Sequence, residues 1–495
     1  MSIPCHWPSP LTSWINGAFS KGSSSAIVRP IMFAARSSQI GAMAMANKSL
    51  VEDAIRHAKK AHQSWAKMTG IERGRILSKA ASLLSTPSNN DAIARLECID
   101  TSRPLSELLV VDVVSGRDCL EYFAAAAMTL SGEHIPVSSE GSFIYTKRES
   151  LGITGGIGAW NYPFQCAVWK SAPALAFGNA MIYKPSPETV LGAISLANIY
   201  KEAGLPDGLF QVVIGDAEVG ELLSTHHDIS KISFTGSAKT GRRIYSDCSS
   251  NLKRITMELG GKSPLIIFPD CDLDNAVSAA LMANFYSNGQ ICSNGTRIFV
   301  ESSIHNKFVA EFVRRARLLR RGDPLEIDTQ ISALVSRTHR DKVAEYIKQG
   351  IEEGAILSMG GLDEDHGLGD AFIPPTIFTG CRDDMTIVKE EIFGPVACVL
   401  KFESTEEVVE RANATEFALA AGVFTKDINR AHQLVSQLQA GVCYVNNYNI
   451  TPVEMPWGGN KQSGLGRENG SAAMENWTQV KSVYVEMGNI FCPYQ

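Results

Sequence analysis

Nowhere in this sequence do 18 or more apolar residues follow one another, so no membrane-spanning helix is expected. The 11 cysteines are odd in number and hold no CxxC or close pair. That argues against a disulfide framework or a zinc knuckle and favours a reducing, cytoplasmic setting. The ten histidines form no HExxH, and the adjacent His226 and His227 would point different ways on any regular element, so no metal is implied. A basic surplus is also missing: 46 Lys and Arg against 52 Asp and Glu leave a net charge of −6, which gives no reason to expect nucleic acid or an anionic membrane as partner.

What is present is a soluble, globular composition, 44% hydrophobic and 20% charged, spread over 495 residues. That length exceeds one ordinary core and points to about two to four domains. From Ser49, a candidate N-cap, Val51, Ala54, Ile55, Ala58, Ala61 and Trp65 follow helical spacing. Further helices are expected through Ile71–Leu84 and Asp112–Met128, while 26–46 reads as strands or a loop. After Gly141 the residues Ser142–Lys147 alternate like an exposed strand, and Gly152, Gly155, Gly156 and Gly158 mark a boundary or crossover. Short apolar runs then alternate with helical stretches from Ala180 to Asn446, the order of a mostly parallel sheet, and Lys481–Glu486 adds a last strand suited to oligomer contacts.

The stretch with most chemistry in it is Phe285–Gly295, where Cys292 sits between Asn288-Gly289 and Asn294-Gly295. A structural thiol usually hides in an apolar run, and this one has small polar neighbours. On local sequence it is balanced between a nucleophile presented on a turn and a buried loop cysteine.

Phe234–Gly241 (FTGSAKTG) follows an expected strand and opens a helix, so Gly236 and Gly241 can bring a pyrophosphate to the helix N-terminus. Its spacing departs from GxGxxG, and a plain strand-to-helix turn fits equally. Gly261-Lys262-Ser263 invites a nucleotide-phosphate reading, but Met257 and its neighbours supply no glycine where a P-loop needs one. Glu258, at a strand end before Gly260-Gly261, can serve as a general base or be merely solvated. Asn161 can donate to an oxyanion or form an Asx turn, and Lys184 ends a strand where doubly wound sheets bind ligands.

Taken together, WNYP, KPSP, FTGSxxxG, ELGGKSP, NGQICSNGTR, EEIFGP and PWGGNKQSGLGRE resemble the NAD(P)-dependent aldehyde dehydrogenases over about residues 50 to 490. Within that family CRDDM, NNYN, RENG and VEMG are similar to the 4-trimethylaminobutyraldehyde dehydrogenase branch, near the betaine aldehyde dehydrogenases. Pro187 departs from the pattern, because many NAD-preferring members carry a ribose-binding glutamate there, and Glu188 comes one residue later. Residues 20–48 and 90–117 are also atypical.

The resemblance implies an α/β fold with two doubly wound parallel-sheet, Rossmann-like domains and a small β oligomerisation element. It divides the chain into a dinucleotide-binding unit (1–139 and 159–261), a catalytic unit (262–474) and an oligomerisation piece (140–158 and 475–495). It implies Cys292 as nucleophile, Glu258 as the base for thioester hydrolysis and Asn161 as oxyanion donor. NAD, with NADP as the alternative, would be held by Trp160, Lys184, Gly236, Ser237, Thr240, Glu391 and Phe393. Tyr162, Trp169, Tyr286 and Trp457 would form an aromatic cage for a trimethylammonium group, with Glu454 adding charge at the tunnel mouth. The expected substrate is a small aminoaldehyde, foremost 4-trimethylaminobutyraldehyde, and the expected assembly a homodimer or homotetramer. A general aldehyde dehydrogenase, a thiol hydrolase and an inactive structural homologue are the alternatives.

Overall fold

The computed structural model describes residues 4, 6–21, 26–138, 141–362, 368–490 and 492–494. Its framework comes from runs such as Ala180–Lys184 (AMIYK) and Pro264–Ile267 (PLII), buried along their whole length as strands covered on both faces must be. Helices between them lay an apolar stripe on the sheets. Trp65, at the end of helix Lys48–Trp65, is fully buried and its Nε1–H donates to the Leu175 carbonyl at 3.0 Å. Burying such a ring is worth roughly 1.5–3 kcal/mol or more, and its one polar group is satisfied.

Eight strands form the first sheet, in the spatial order Ala18–Phe19, Trp14–Ile15, Phe210–Val212, Ala180–Lys184, Ile153–Ile157, Ile229–Thr235, Arg254–Glu258, Gly464–Leu465. The five from Phe210–Val212 to Arg254–Glu258 are parallel, and the chain leaves Ile153–Ile157 first toward one edge and later toward the other. A crevice therefore opens between the carboxyl ends of Ile153–Ile157 and Ile229–Thr235, the place where such sheets receive ligands. A seven-stranded sheet, in the order Ile356–Met359, Thr376–Thr379, Val396–Phe402, Arg297–Glu301, Pro264–Ile267, Ala420–Phe424, Val442–Val445, has only its Ile356–Met359 edge antiparallel. Thr478–Val485 pairs with Phe143–Ser150 in a third, antiparallel sheet with His134–Pro136.

Several expectations need correction. The glycine-rich run does mark a boundary, but at Gly152 and not at 158: Phe143–Ser150 belongs to the three-stranded sheet, while Ile153–Ile157 (ITGGI) lies in the centre of the eight-stranded sheet and not with the small element of 140–158. Its glycines answer to crowding, since a Cβ on Gly155 would stand 2.5 Å from Ile232 Cδ1 and one on Gly156 2.8 Å from the Tyr183 ring. Gly464–Leu465, read with the catalytic unit, pairs with Met257 and Glu258 of the first sheet. Asn47, not Ser49, caps the first long helix, accepting from the Leu50 N–H at 3.0 Å. Residues 26–46, by contrast, do form strands as expected, in an antiparallel hairpin of Val28–Phe33 with Ser38–Ala44.

Candidate active site

Three strand ends and one loop build the site. Asn161 follows Ile153–Ile157, Thr235 and Glu258 end neighbouring strands in register with each other, and Cys292 comes from the loop after helix Leu273–Phe285. The loop enters through Ser287 and Asn288, both in the left-handed region at φ 53° and 54°, and Gly289 at φ 75°. A Cβ on Gly289 would lie 2.3 Å from the Gly394 backbone, so the loop closes against the EEIFGP segment as well as turning. Asn161 is buried, and one of its amide hydrogens goes to the Gln290 carbonyl at 2.8 Å, which ties it to the cysteine loop and leaves the other hydrogen to donate.

Two cavities meet at these residues. One, of about 310 Å³, has aromatic walls; the other, of about 440 Å³, runs along the FTGS turn; Asn161, Thr235, Glu258 and Cys292 line both. The thiol is thus half-buried and open to two spaces, as a reacting group needs to be.

Electrostatics bear on the roles. Burial pushes the Cys292 thiol well above the ordinary thiol range, and the Glu391 and Glu258 carboxyls add to the shift. Burial likewise raises Glu258 well above the usual carboxylate range, reinforced by Glu468 and opposed by Lys170 and Arg467. Neither carboxylate oxygen of Glu258 has a hydrogen-bond partner. Glu468 differs: Lys170 Nζ pairs with it at 2.5 Å and Ser233 Oγ donates to it at 2.8 Å. The unpartnered acid is therefore the one able to exchange protons with a guest in the cavities.

Trp160, Lys184, Gly236, Ser237, Thr240, Glu391 and Phe393 all line the second cavity. Ser237 caps helix Ala238–Ser249, accepting from Thr240 N–H at 3.3 Å, and the open first turn suits a pyrophosphate. Lys184 Nζ donates to the Pro185 carbonyl at 3.1 Å and burial lowers its pKa to about 8, which leaves donors for ribose hydroxyls. Glu391 accepts from Gly261 N–H at 3.0 Å, and burial brings its carboxyl to about 7. These donors and acceptors fit a dinucleotide. Pro187 lines this cavity but Glu188 does not; Glu188 borders a neighbouring cavity of about 370 Å³ instead. His339 and Lys342 also line the cofactor-sized cavity and were missed, since they sit in an ordinary-looking helix, Arg337–Glu352.

Tyr162, Trp169, Tyr286 and Trp457 line the first cavity, with the indoles of Trp169 and Trp457 6.3 Å apart and inclined at 68°. Tyr162 is not free on both faces, because the Arg103 guanidinium covers one at 3.7 Å. Glu454 is exposed, does not line the cavity and lies near Tyr122, since side chains so close in a turn need not share a direction. Asp118, which sequence reading overlooked, does line it, on the helix Asp112–Met128. Its side chain is 43% exposed and its Oδ1 pairs with Arg117. His226 and His227 do not point apart: in the turn after helix Ala217–Thr225 their rings stack at 4.5 Å, and with Asp228 their ligand atoms lie within 4.8 Å of one another. The lone pair of His226 is spent, because Nδ1 accepts from Asp228 N–H at 3.1 Å while Nε2 faces Glu52 at 3.2 Å.

Among the described residues no helix is long and apolar enough to cross a membrane. The model of the aldehyde dehydrogenase family matches residues 21–483. A betaine aldehyde dehydrogenase of Mesorhizobium japonicum is 50% identical over 483 residues, 97% of this chain and 98% of the relative. One of Brucella anthropi is 51% identical over 467 residues, 94% and 95% of the two chains. Among solved structures, an aldehyde dehydrogenase variant from Bacillus cereus is 38% identical with a TM-score of 0.94, covering 97% of each chain. A betaine aldehyde dehydrogenase from Staphylococcus aureus, in complex with NAD+, is 33% identical with a TM-score of 0.95, covering 99% of this chain and 97% of that one.

Proposed function

The chain belongs to the aldehyde dehydrogenase family, and from that premise we propose that it oxidises a trimethylammonium or amino aldehyde to the carboxylate, with NAD+ as hydride acceptor. The observation that carries this reading is the meeting of two cavities at Cys292, Glu258 and Asn161, one walled by aromatic rings and one matched to a dinucleotide. The curated relatives named above are betaine aldehyde dehydrogenases, which supports the ammonium-bearing class. Within it, 4-trimethylaminobutyraldehyde is the proposed preferred substrate, with betaine aldehyde and 4-aminobutyraldehyde also accepted.

Cys292 sulfur attacks the aldehyde carbon and its proton passes to solvent water. The oxygen that gains the carbonyl electrons receives the free Asn161 amide hydrogen and the Cys292 backbone N–H, donors that cost no reorganisation once the loop is formed. The carbon then gives up its hydride, for which bound NAD+ would be the acceptor, and its carbonyl re-forms as a thioester on Cys292. His339 and Phe393 pack edge to face against the Trp160 ring at 4.9 and 5.1 Å, and the three rings line the cofactor-sized cavity. Glu258, holding no structural hydrogen bond, takes the proton of a water that attacks the thioester; the carbon–sulfur bond breaks and the carboxylate leaves. The raised pKa suits this step, because it makes the Glu258 carboxylate a stronger base than an ordinary one.

The eight-stranded sheet is assigned the cofactor, the seven-stranded sheet the nucleophile, and the three-stranded sheet subunit contacts. The test is formation of reduced cofactor across amino and neutral aldehydes, with NAD+ and with NADP+. Turnover with trimethylammonium aldehydes and NAD+ is expected, and no turnover with any aldehyde would refute the reading.

A further inference from the structure

The segment between residues 97 and 112, within the stretch that departs from the family pattern, holds a buried charge cluster with no part in the reaction steps. Arg103 is fully buried and forks onto Asp112, with Nη1 at 2.7 Å and Nη2 at 2.9 Å from its two oxygens. The same guanidinium makes two further donations. Nε–H reaches Ser287 Oγ at 3.0 Å, and Nη1 also reaches the Asn161 backbone carbonyl at 3.1 Å. Ser287 is drawn in from a second side: Glu107 accepts from its N–H at 3.0 Å, and the Tyr162 hydroxyl lies 2.7 Å from its Oγ.

We propose that Arg103 is a positioning residue that holds Asn161 and the Cys292 loop in register, so that both oxyanion donors point at one place before substrate arrives. The inference rests on the roles given above to Cys292 and Asn161. Its physical basis is that Asn161 and Ser287 belong to different elements and that this one planar group donates to both, adding a rigid bridge to the Asn161–Gln290 and Tyr162–Ser287 hydrogen bonds. Ser287 and Asn288 stand in left-handed backbone that costs free energy for residues other than glycine, and such a conformation persists only where its surroundings fix it. Asp112 fixes the fork, leaving Nε and the second hydrogen of Nη1 with set directions that a lysine ammonium does not reproduce. Asn288 supports the same loop independently, with Nδ2 donating to the Ala333 carbonyl at 2.9 Å and Oδ1 accepting from Ser332 N–H at 2.9 Å. Loss of the Arg103 fork should therefore loosen the alignment without unfolding the loop.

A double-mutant cycle on the rate of the first hydride transfer tests this, because an effect carried through the oxyanion donors must shrink when one donor is gone. Arg103→Lys is expected to slow that step about 10–100-fold in the wild-type background and less than about threefold with Asn161→Ala, while KM for the cofactor changes less than about threefold. Equal losses in the two backgrounds, or no loss in the wild type, would overturn the proposal. A wild-type rate for Asn161→Ala alone would instead refute the oxyanion reading beneath it. If Arg103→Lys does not fold, Ser287→Ala, which deletes one hydroxyl and no charge, replaces it in the cycle. The same loss of effect in the Asn161→Ala background is expected, and additivity would again be refuting.

Discussion

Removing one indole from the aromatic cavity should change the enzyme's choice between charged and neutral substrates more than its rate. Trp457 is 6% exposed, lies 6.3 Å from Trp169, and is anchored by reciprocal backbone hydrogen bonds with Glu468 at 2.7 Å. Tyr162 lines the cavity too, but the Arg103 cation on its other face weakens its pull on a second cation, which leaves Trp169, Tyr286 and Trp457 as the main rings for a trimethylammonium. At roughly 0.5 kcal/mol per ring, the lower end of the usual range, three rings supply about 1.5 kcal/mol, or about tenfold. The assay compares kcat/KM for 4-trimethylaminobutyraldehyde with that for its carbon isostere, in which a tert-butyl group replaces trimethylammonium. Wild type should favour the cation by at least about tenfold, and Trp457→Ala should lower that ratio about two- to fivefold, since one ring contributes about 0.5–1 kcal/mol. Packing loss slows both substrates and cancels in the ratio. A wild-type ratio near one, or a ratio unchanged in Trp457→Ala, would refute the reasoning.

Asn161→Ala should lower turnover roughly 10²–10³-fold, the usual loss for one oxyanion donor, and an effect confined to KM would contradict that role. Asp118→Asn should weaken kcat/KM for the cationic aldehyde about two- to fivefold in low salt and less in high salt, while Glu454→Gln should leave it unchanged, a contrast read from steady-state rates at two ionic strengths. Glu258→Gln should raise the thermal midpoint. The folded carboxyl titrates above its unfolded value, so the protonated form's stability is fully present below the unfolded pKa and is lost as pH rises through the folded one. The gain from Gln is therefore expected to be larger at pH 8 than at pH 5, and a gain that shrinks with pH would show the carboxylate to be stabilised where it sits.

Much of the framework was legible because it depends on local pattern. The helices expected over Ile71–Leu84 and Asp112–Met128 stand at Gly70–Leu84 and Asp112–Met128, where apolar spacing put them. The central strand Ile153–Ile157 was hidden because glycine normally punctuates turns, whereas here it makes room for Tyr183 and Ile232 from neighbouring strands. Motif resemblance led to Cys292, Glu258 and Asn161, which do share a junction. Arg103 left no trace in sequence, since its partner Ser287 is 184 residues away and a lone arginine carries no periodicity. Glu454 misled for the opposite reason: nearness to Trp457 in the chain said nothing about side-chain direction.

The central claim is a covalent reaction in two steps, hydride transfer at a Cys292 adduct and hydrolysis helped by Glu258. Single-turnover stopped-flow absorbance of reduced cofactor in Glu258→Gln, with 4-trimethylaminobutyraldehyde and NAD+, tests it most directly. The account predicts a burst of reduced cofactor about equal to the enzyme concentration, followed by a slow phase, and no burst in Cys292→Ser. A Glu258→Gln enzyme with no burst, or a Cys292→Ser enzyme that keeps one, would contradict it.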